Sequence, residues 1–160
     1  MSIRIITDSG SDYEQNEIKD KNIEVIPIPI TFGGREYLDG INLTKDKFFE
    51  LLQQNDEFPK TAQPSPSIYL DIFQEAQKAG DDVILIMISG SLTGMFQTAV
   101  LCKNEVGYDR VHIINSVNAT AGIRLLVGNA VKLRDEGKTA EEIVEATENL
   151  KKRIRLYATF

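Results

Sequence analysis

Six consecutive apolar residues, Val83-Ile84-Leu85-Ile86-Met87-Ile88, run directly into Ser89-Gly90-Ser91-Leu92-Thr93-Gly94, and a helical pattern follows at once. An aliphatic run without alternation predicts a strand buried on both faces, the situation of a parallel sheet covered on each side. Four further apolar segments, Ile3–Ile6, Ile23–Ile30, Val111–Ile114 and Ile154–Phe160, alternate with helical spacing. That alternation predicts the α/β class, a mostly parallel sheet flanked by helices. Pro27 and Pro29 remove two donors from the same side of the second segment, which places it at a sheet edge or bends it. Gly33-Gly34 predicts a tight turn joining Ile30-Thr31-Phe32 to Arg35-Glu36-Tyr37 as a small hairpin.

Helix punctuation is clear in three places. Thr44 is placed to cap a helix reaching about Gln54, with Phe48, Leu51 and Leu52 on one side. Ser65-Pro66 combines a capping hydroxyl with a proline where no donor is needed, and the helix it starts should end before Gly80. Thr139 and Glu142 form a capping box for a helix from Ala140 to about Lys152, after a longer helix that closes at Gly137. Phe58 to Pro64 reads as a loop. The last segment alternates like a strand, yet the sequence stops on Phe160 with no element to close it.

Composition narrows the possibilities. A chain of 160 residues matches one domain able to bury about 68–70% of its unfolded surface. With 24 acidic against 18 basic residues the net charge is −6, which argues against a nucleic-acid or anionic-membrane surface. The one basic cluster, Lys151-Lys152-Arg153, lies where a helix end favours cations. A single cysteine, Cys102, excludes an internal disulfide and reads as a small buried hydrophobe. With no signal segment and no apolar stretch of membrane-spanning length, the expectation is a soluble, cytoplasmic protein.

Candidate chemistry gathers where strands should end, because open parallel sheets bind ligands outside their carboxyl edge. Thr7-Asp8-Ser9-Gly10-Ser11-Asp12 follows the first strand, Ser89 to Gly94 the third, and Asn115 to Thr120 the fourth. Hydroxyls and helix-start amides offer donors without charge, which suits one carboxylate better than a polyphosphate. Neither GxxxxGK[ST] nor GxGxxG is present. Leu92, Met95 and Phe96 either line an apolar channel beside this rim or pack the core. The only histidine, His112, falls inside a strand pattern, so the serines lack a base and hydrolase chemistry is disfavoured. Asp8 and Asp12 admit two readings: magnesium ligands of a phosphotransferase or phosphatase, or carboxylates that accept bonds from their own loop.

Thr7-Asp8-Ser9, Thr61-Ala62-Gln63-Pro64-Ser65, Ile88 to Gly94 and Ser116 to Gly122 together resemble the DegV family of bacterial fatty-acid-binding proteins, over essentially the whole chain. The resemblance implies a DegV and dihydroxyacetone-kinase-like architecture of two domains, residues 1–160 corresponding to the amino-terminal one and the carboxyl-terminal domain being absent. It implies a non-catalytic carrier without metal or cofactor, which holds a long-chain fatty acid by its carboxylate and presents it to a fatty acid kinase. Carried over to this sequence, Thr61 and Ser91 are the expected carboxylate donors; Ser89, Thr93 and Gly94 shape the loop, and Ser116 joins the ligand-binding set. The chain departs from the family pattern at Asn115, where an aspartate is frequent, and at Arg124, which interrupts a small and apolar stretch. Thr61 reaches the common rim only if its loop folds back over it.

Overall fold

A computed structural model describes residues 2–157. Its main sheet contains β1 (Ile3–Asp8), β2 (Glu24–Ile26), β6 (Asp82–Met87) and β7 (Val111–Asn115), all parallel, in the order β2-β1-β6-β7. A second, antiparallel sheet of order β4-β3-β5 is made of β3 (Pro29–Phe32), β4 (Arg35–Leu38) and β5 (Lys60–Thr61). The helices are α1 (Gln15–Lys21), α2 (Lys45–Gln54), α3 (Pro66–Ala79), α4 (Met95–Val106), α5 (Thr120–Asp135) and α6 (Ala140–Lys151), with one turn of 3-10 helix at Ser9–Ser11.

The aliphatic run becomes β6, and every one of its residues is buried. Val83, Leu85 and Met87 pack with Ile6, Tyr69, Phe73, Met95 and Ala99 under α3 and α4. Ile84 and Ile86 pack with Ile5, Ile114, Ile123, Leu126 and Ile143 under α5 and α6. Strand pleating thus sends alternate side chains into two cores, and each fully buried aliphatic side chain contributes about 1.5–3 kcal/mol. A smaller cluster, Ile30, Phe32 and Leu43 with Phe48, Leu51 and Leu52, holds α2 on the antiparallel sheet.

The capping signals fold as written. Thr44 Oγ1 accepts from Lys47 N at 3.2 Å, Ser65 caps α3 with Pro66 first in the helix, and Thr139 and Glu142 exchange both capping-box bonds. Gly80 and Gly137 take φ values of 71° and 81° at the helix ends, where a side chain would be strained. The Gly33-Gly34 hairpin is present, with Phe32 opposite Arg35.

Three expectations are corrected. Ile23–Ile30 is not one strand: it divides into edge strand β2 and strand β3 of the other sheet, because Pro27 has no donor and Ile28 N turns to Ser9 Oγ at 3.1 Å. Phe58–Pro64 is not wholly loop, since Lys60–Thr61 pairs with Thr31 and Ile30. Ile154–Phe160 is not a strand over its described part. Residues 154–157 form no strand, Ile154 packs on the first core, and Arg155 Nη1 folds back to the carbonyls of Lys152 and Ile154 at 2.9 Å. Residues 158–160 of that segment lie outside the described residues. The short helix α1 carried too little apolar spacing to be read in advance; its amino end is fixed instead by Glu14 and Glu17.

Candidate functional site

Strand β1 continues to β2 on one side of the sheet, while β6 continues to β7 on the other, so the chain reverses its direction of winding between β1 and β6. A crevice at the carboxyl ends is the geometric result. Around it the Ser89 loop and the Asn115–Ala119 loop are tied together. Ser89 N donates to Asn118 O at 2.9 Å, and Gly90 N to Asn115 Oδ1 at 3.1 Å. Asn115 Oδ1 also accepts from Val117 N at 3.0 Å. The amide oxygen therefore does the accepting that a carboxylate would do there, and the Asn115 departure preserves the tie.

A cavity of about 680 Å³ opens beside these loops, lined by Ser89, Ser91, Leu92, Val117 and Leu156 and by the cations Lys151, Lys152 and Arg155. Its cationic wall adds charge to the uncharged donors that the sequence places at this rim, because α6 and the residues after it return to the carboxyl edge. Lys151 Nζ fixes that approach by donating to Asn115 O at 3.0 Å. The local signal was the Lys151-Lys152 pair, whose meaning depended on where α6 ended. Leu92 and Val117 are largely exposed, at 68% and 62%. Val117 and Thr120 both hold positive φ, 54° and 44°, which costs a β-branched residue on the order of 1–3 kcal/mol.

The candidate residues divide by position. Ser89 and Ser91 line the cavity; Ser89 Oγ accepts from Ser91 N at 3.3 Å, and its carbonyl accepts from Leu92 N at 2.9 Å. Thr93 is turned to the helix, accepting from Met95 N at 3.3 Å. Ser116 is fully buried, donating to Asn118 O at 3.0 Å and accepting from Asn118 N at 3.1 Å, so its proton serves the loop. Thr61 is exposed and stands outside the cavity lining. Its segment is nonetheless docked on the Ser89–Gly94 loop: the Gln63 amide occupies the space a Cβ of Gly94 would need, and Gln63 Oε1 accepts from Thr98 Oγ1 at 2.9 Å. Of the apolar candidates Leu92 faces the cavity, whereas Met95 belongs to the core and Phe96 packs against it.

Asp8 is taken up by its own loop and by the strand beside it. Asp8 is fully buried; Oδ1 accepts from Gly10 N at 3.0 Å and Oδ2 from Ile88 N at 2.7 Å. Burial without a cation pushes its carboxyl up to about 6, although those two N–H donors oppose the shift. Asp12 closes the following 3-10 turn with φ 59°, and its carbonyl accepts from Arg124 Nη1. Among the described residues no group of three or more His, Cys, Asp or Glu is arranged to hold a metal ion. His112 is half-buried in β7 with its pKa lowered chiefly by desolvation, and Cys102 is buried with its thiol pushed up by the same cause. Arg124 projects outward, ion-paired to Glu17 and stacked over Tyr13 at 4.4 Å, so this departure ties the first loop to α5 without entering the core.

An open α/β sheet with hydroxyl-bearing loops gathered at its carboxyl edge defines the class. The family model described as "Uncharacterised protein, DegV family" matches residues 2–160, and the chain belongs to the DegV family. A DegV domain-containing protein of Caldanaerobacter subterraneus is 35% identical over 153 residues, 96% of this chain and 54% of that relative. A DegV family protein from Thermus thermophilus, described for its fatty acid binding, superimposes with a TM-score of 0.85 at 31% identity, covering 95% of this chain and 54% of that one. The Streptococcus pneumoniae fatty acid kinase B3 protein loaded with linoleic acid gives 0.79 at 31% identity, covering 95% and 55%. The chain thus spans about half the length of the relatives it matches. No described helix is long and apolar enough to cross a membrane.

Proposed function

We propose that this chain binds a long-chain fatty acid by its carboxylate and offers it to a fatty acid kinase, making and breaking no bond itself. The observation that carries the reading is one cavity in which the Ser89 and Ser91 hydroxyls stand beside Leu92, Val117 and Leu156. A head group meets donors there while the first methylenes meet apolar surface. Ser91, exposed at the mouth, is the proposed carboxylate donor within the cavity, and Thr61, on the docked strand β5 outside that lining, is proposed as a second donor reached by the part of the head group that projects from the mouth. Lys152 and Arg155 add positive potential that draws the ionised acid, with no carboxylate partner of their own among the described residues. The names of the Thermus and Streptococcus relatives support the same ligand class.

Isothermal titration with oleate tests the reading. Ser91→Ala and Thr61→Ala each remove one charge-assisted bond and should weaken affinity about tenfold, with little change in melting temperature. Unchanged affinity in both variants would assign the head group elsewhere. For the kinase step, the oleate-loaded protein should support acyl phosphate formation when kinase and ATP are added, and a loaded protein inert in that assay would remove that part of the proposal.

A further inference from the structure

Among the described residues, left-handed backbone is taken by glycine or by Asp12 and Asn22, whose side chains tolerate it, except at Val117 and Thr120. Both exceptions are β-branched, and both follow β7 within a few residues. Thr120 opens α5 outside the cavity lining, whereas Val117 lines the cavity beside Ser89 and Ser91. Its φ of 54° is a conformation that glycine would hold without strain.

The packing of the chain gives nothing back for that strain. Val117 is 62% exposed and belongs to none of the three apolar clusters. What imposes the conformation is the frame around it. Asn115 Oδ1 accepts from Val117 N at 3.0 Å and from Gly90 N at 3.1 Å. On either side of Val117, the buried Ser116 and Asn118 are joined by three hydrogen bonds of 3.0 to 3.1 Å, and Asn118 O also holds Ser89 N at 2.9 Å. The turn is thereby fixed to the loop that carries the hydroxyls, and its exposed side chain is apolar. A strained residue that its surroundings over-determine, and that gains no burial of its own, marks a place where the strain serves a contact outside the fold.

We propose that Val117 is a specificity-determining residue of the head-group cavity, and that the fold gives up stability to present it. Its isopropyl group, with the exposed Leu92, forms the apolar wall met by the methylenes next to the carboxylate. The ligand class is then an acid whose first carbons are aliphatic and carry no hydroxyl, because a hydroxyl pressed on that wall would lose its water without finding a partner. This assignment rests on the function proposed above. It adds a signature that a residue serving the fold alone would not give, since relieving the strain should raise stability while lowering affinity.

Thermal unfolding and isothermal titration of two variants test it. Val117→Gly relieves the backbone and removes the wall; it should melt about 2–6 °C above wild type and bind decanoate about fivefold more weakly. Val117→Ile keeps both the strain and the wall and should match wild type in both measurements. Wild type should prefer decanoate to 3-hydroxydecanoate about fivefold, and in Val117→Gly that preference should shrink, whereas simple loosening of the loop would weaken both acids alike. Melting of Val117→Gly at or below wild type would overturn the strain argument. Unchanged decanoate affinity, or an unchanged preference, in that variant would overturn the contact while leaving the lipid reading in place. A wild type that binds neither acid would end the lipid reading and this assignment with it.

Discussion

Replacing Gly122 by Ala probes the packing that holds the rim. Gly122 is buried in the first turn of α5, and a Cβ there would lie 2.5 Å from Asn118 Oδ1 and 2.7 Å from its Cβ and Cγ. Those are atoms near the backbone of a residue that cannot swing aside. Asn118 is itself buried and is bonded to Ser116 through its amide N–H, its carbonyl and its side-chain nitrogen, while its carbonyl also receives Ser89 N. Overpacking of this kind costs about 1–3 kcal/mol, and one or two displaced bonds add about 1 kcal/mol each. The better helix propensity of alanine returns at most about 1 kcal/mol. The net loss is about 2–4 kcal/mol, or roughly 5–15 °C in melting temperature for a domain of this size. Thermal unfolding followed by circular dichroism measures it directly. Gly94→Ala is the control: its φ of −77° suits alanine, and the obstructing atom is the end of the flexible Gln63 side chain. Melting of Gly122→Ala within 2 °C of wild type, or below Gly94→Ala by no margin, would refute the packing argument.

Thr98→Val removes the hydroxyl that fixes Gln63; it should weaken oleate binding several-fold while Thr98→Ser keeps it, and equal affinities by titration would mean that β5 needs no such anchor. Stability should respond to Asp8 with a definite sign. Because its folded value is raised, the native state holds the proton more tightly, so Asp8's contribution favours folding as pH falls through 6 and is lost as pH rises through it. Denaturant melts of wild type against Asp8→Asn should differ by that slope, and parallel pH profiles would contradict it.

Local chemistry made much of the fold readable in advance. The aliphatic run of β6, the Thr44, Ser65 and Thr139 caps and the Gly33-Gly34 turn are each decided by a few adjacent residues, so their elements formed where expected. What depended on distant partners was less legible. The break after Pro27 takes its final form from Ser9, and strand β5 exists only because Ile30 and Thr31 offer an edge. The same holds at the rim. Ser89 and Ser91 were visible as hydroxyls after a buried strand, but the buried bonds that turn Ser116 inward and the return of Lys151, Lys152 and Arg155 are tertiary facts. Asp8 shows the point most clearly, since sequence left two readings and only the N–H groups of Gly10 and Ile88 assign its lone pairs.

Neutral hydroxyls at this carboxyl edge are proposed to receive the head of an apolar acid. Amide and methyl NMR of the labelled chain during addition of oleate tests it most directly, and reads weak binding as well as strong. Saturable shifts should concentrate at Thr61, Ser89 to Gly94 and Val117, and the Ser91→Ala variant should need about ten times more oleate to reach them. Shifts confined to another face, or none at any oleate concentration that leaves the protein folded, would contradict the account.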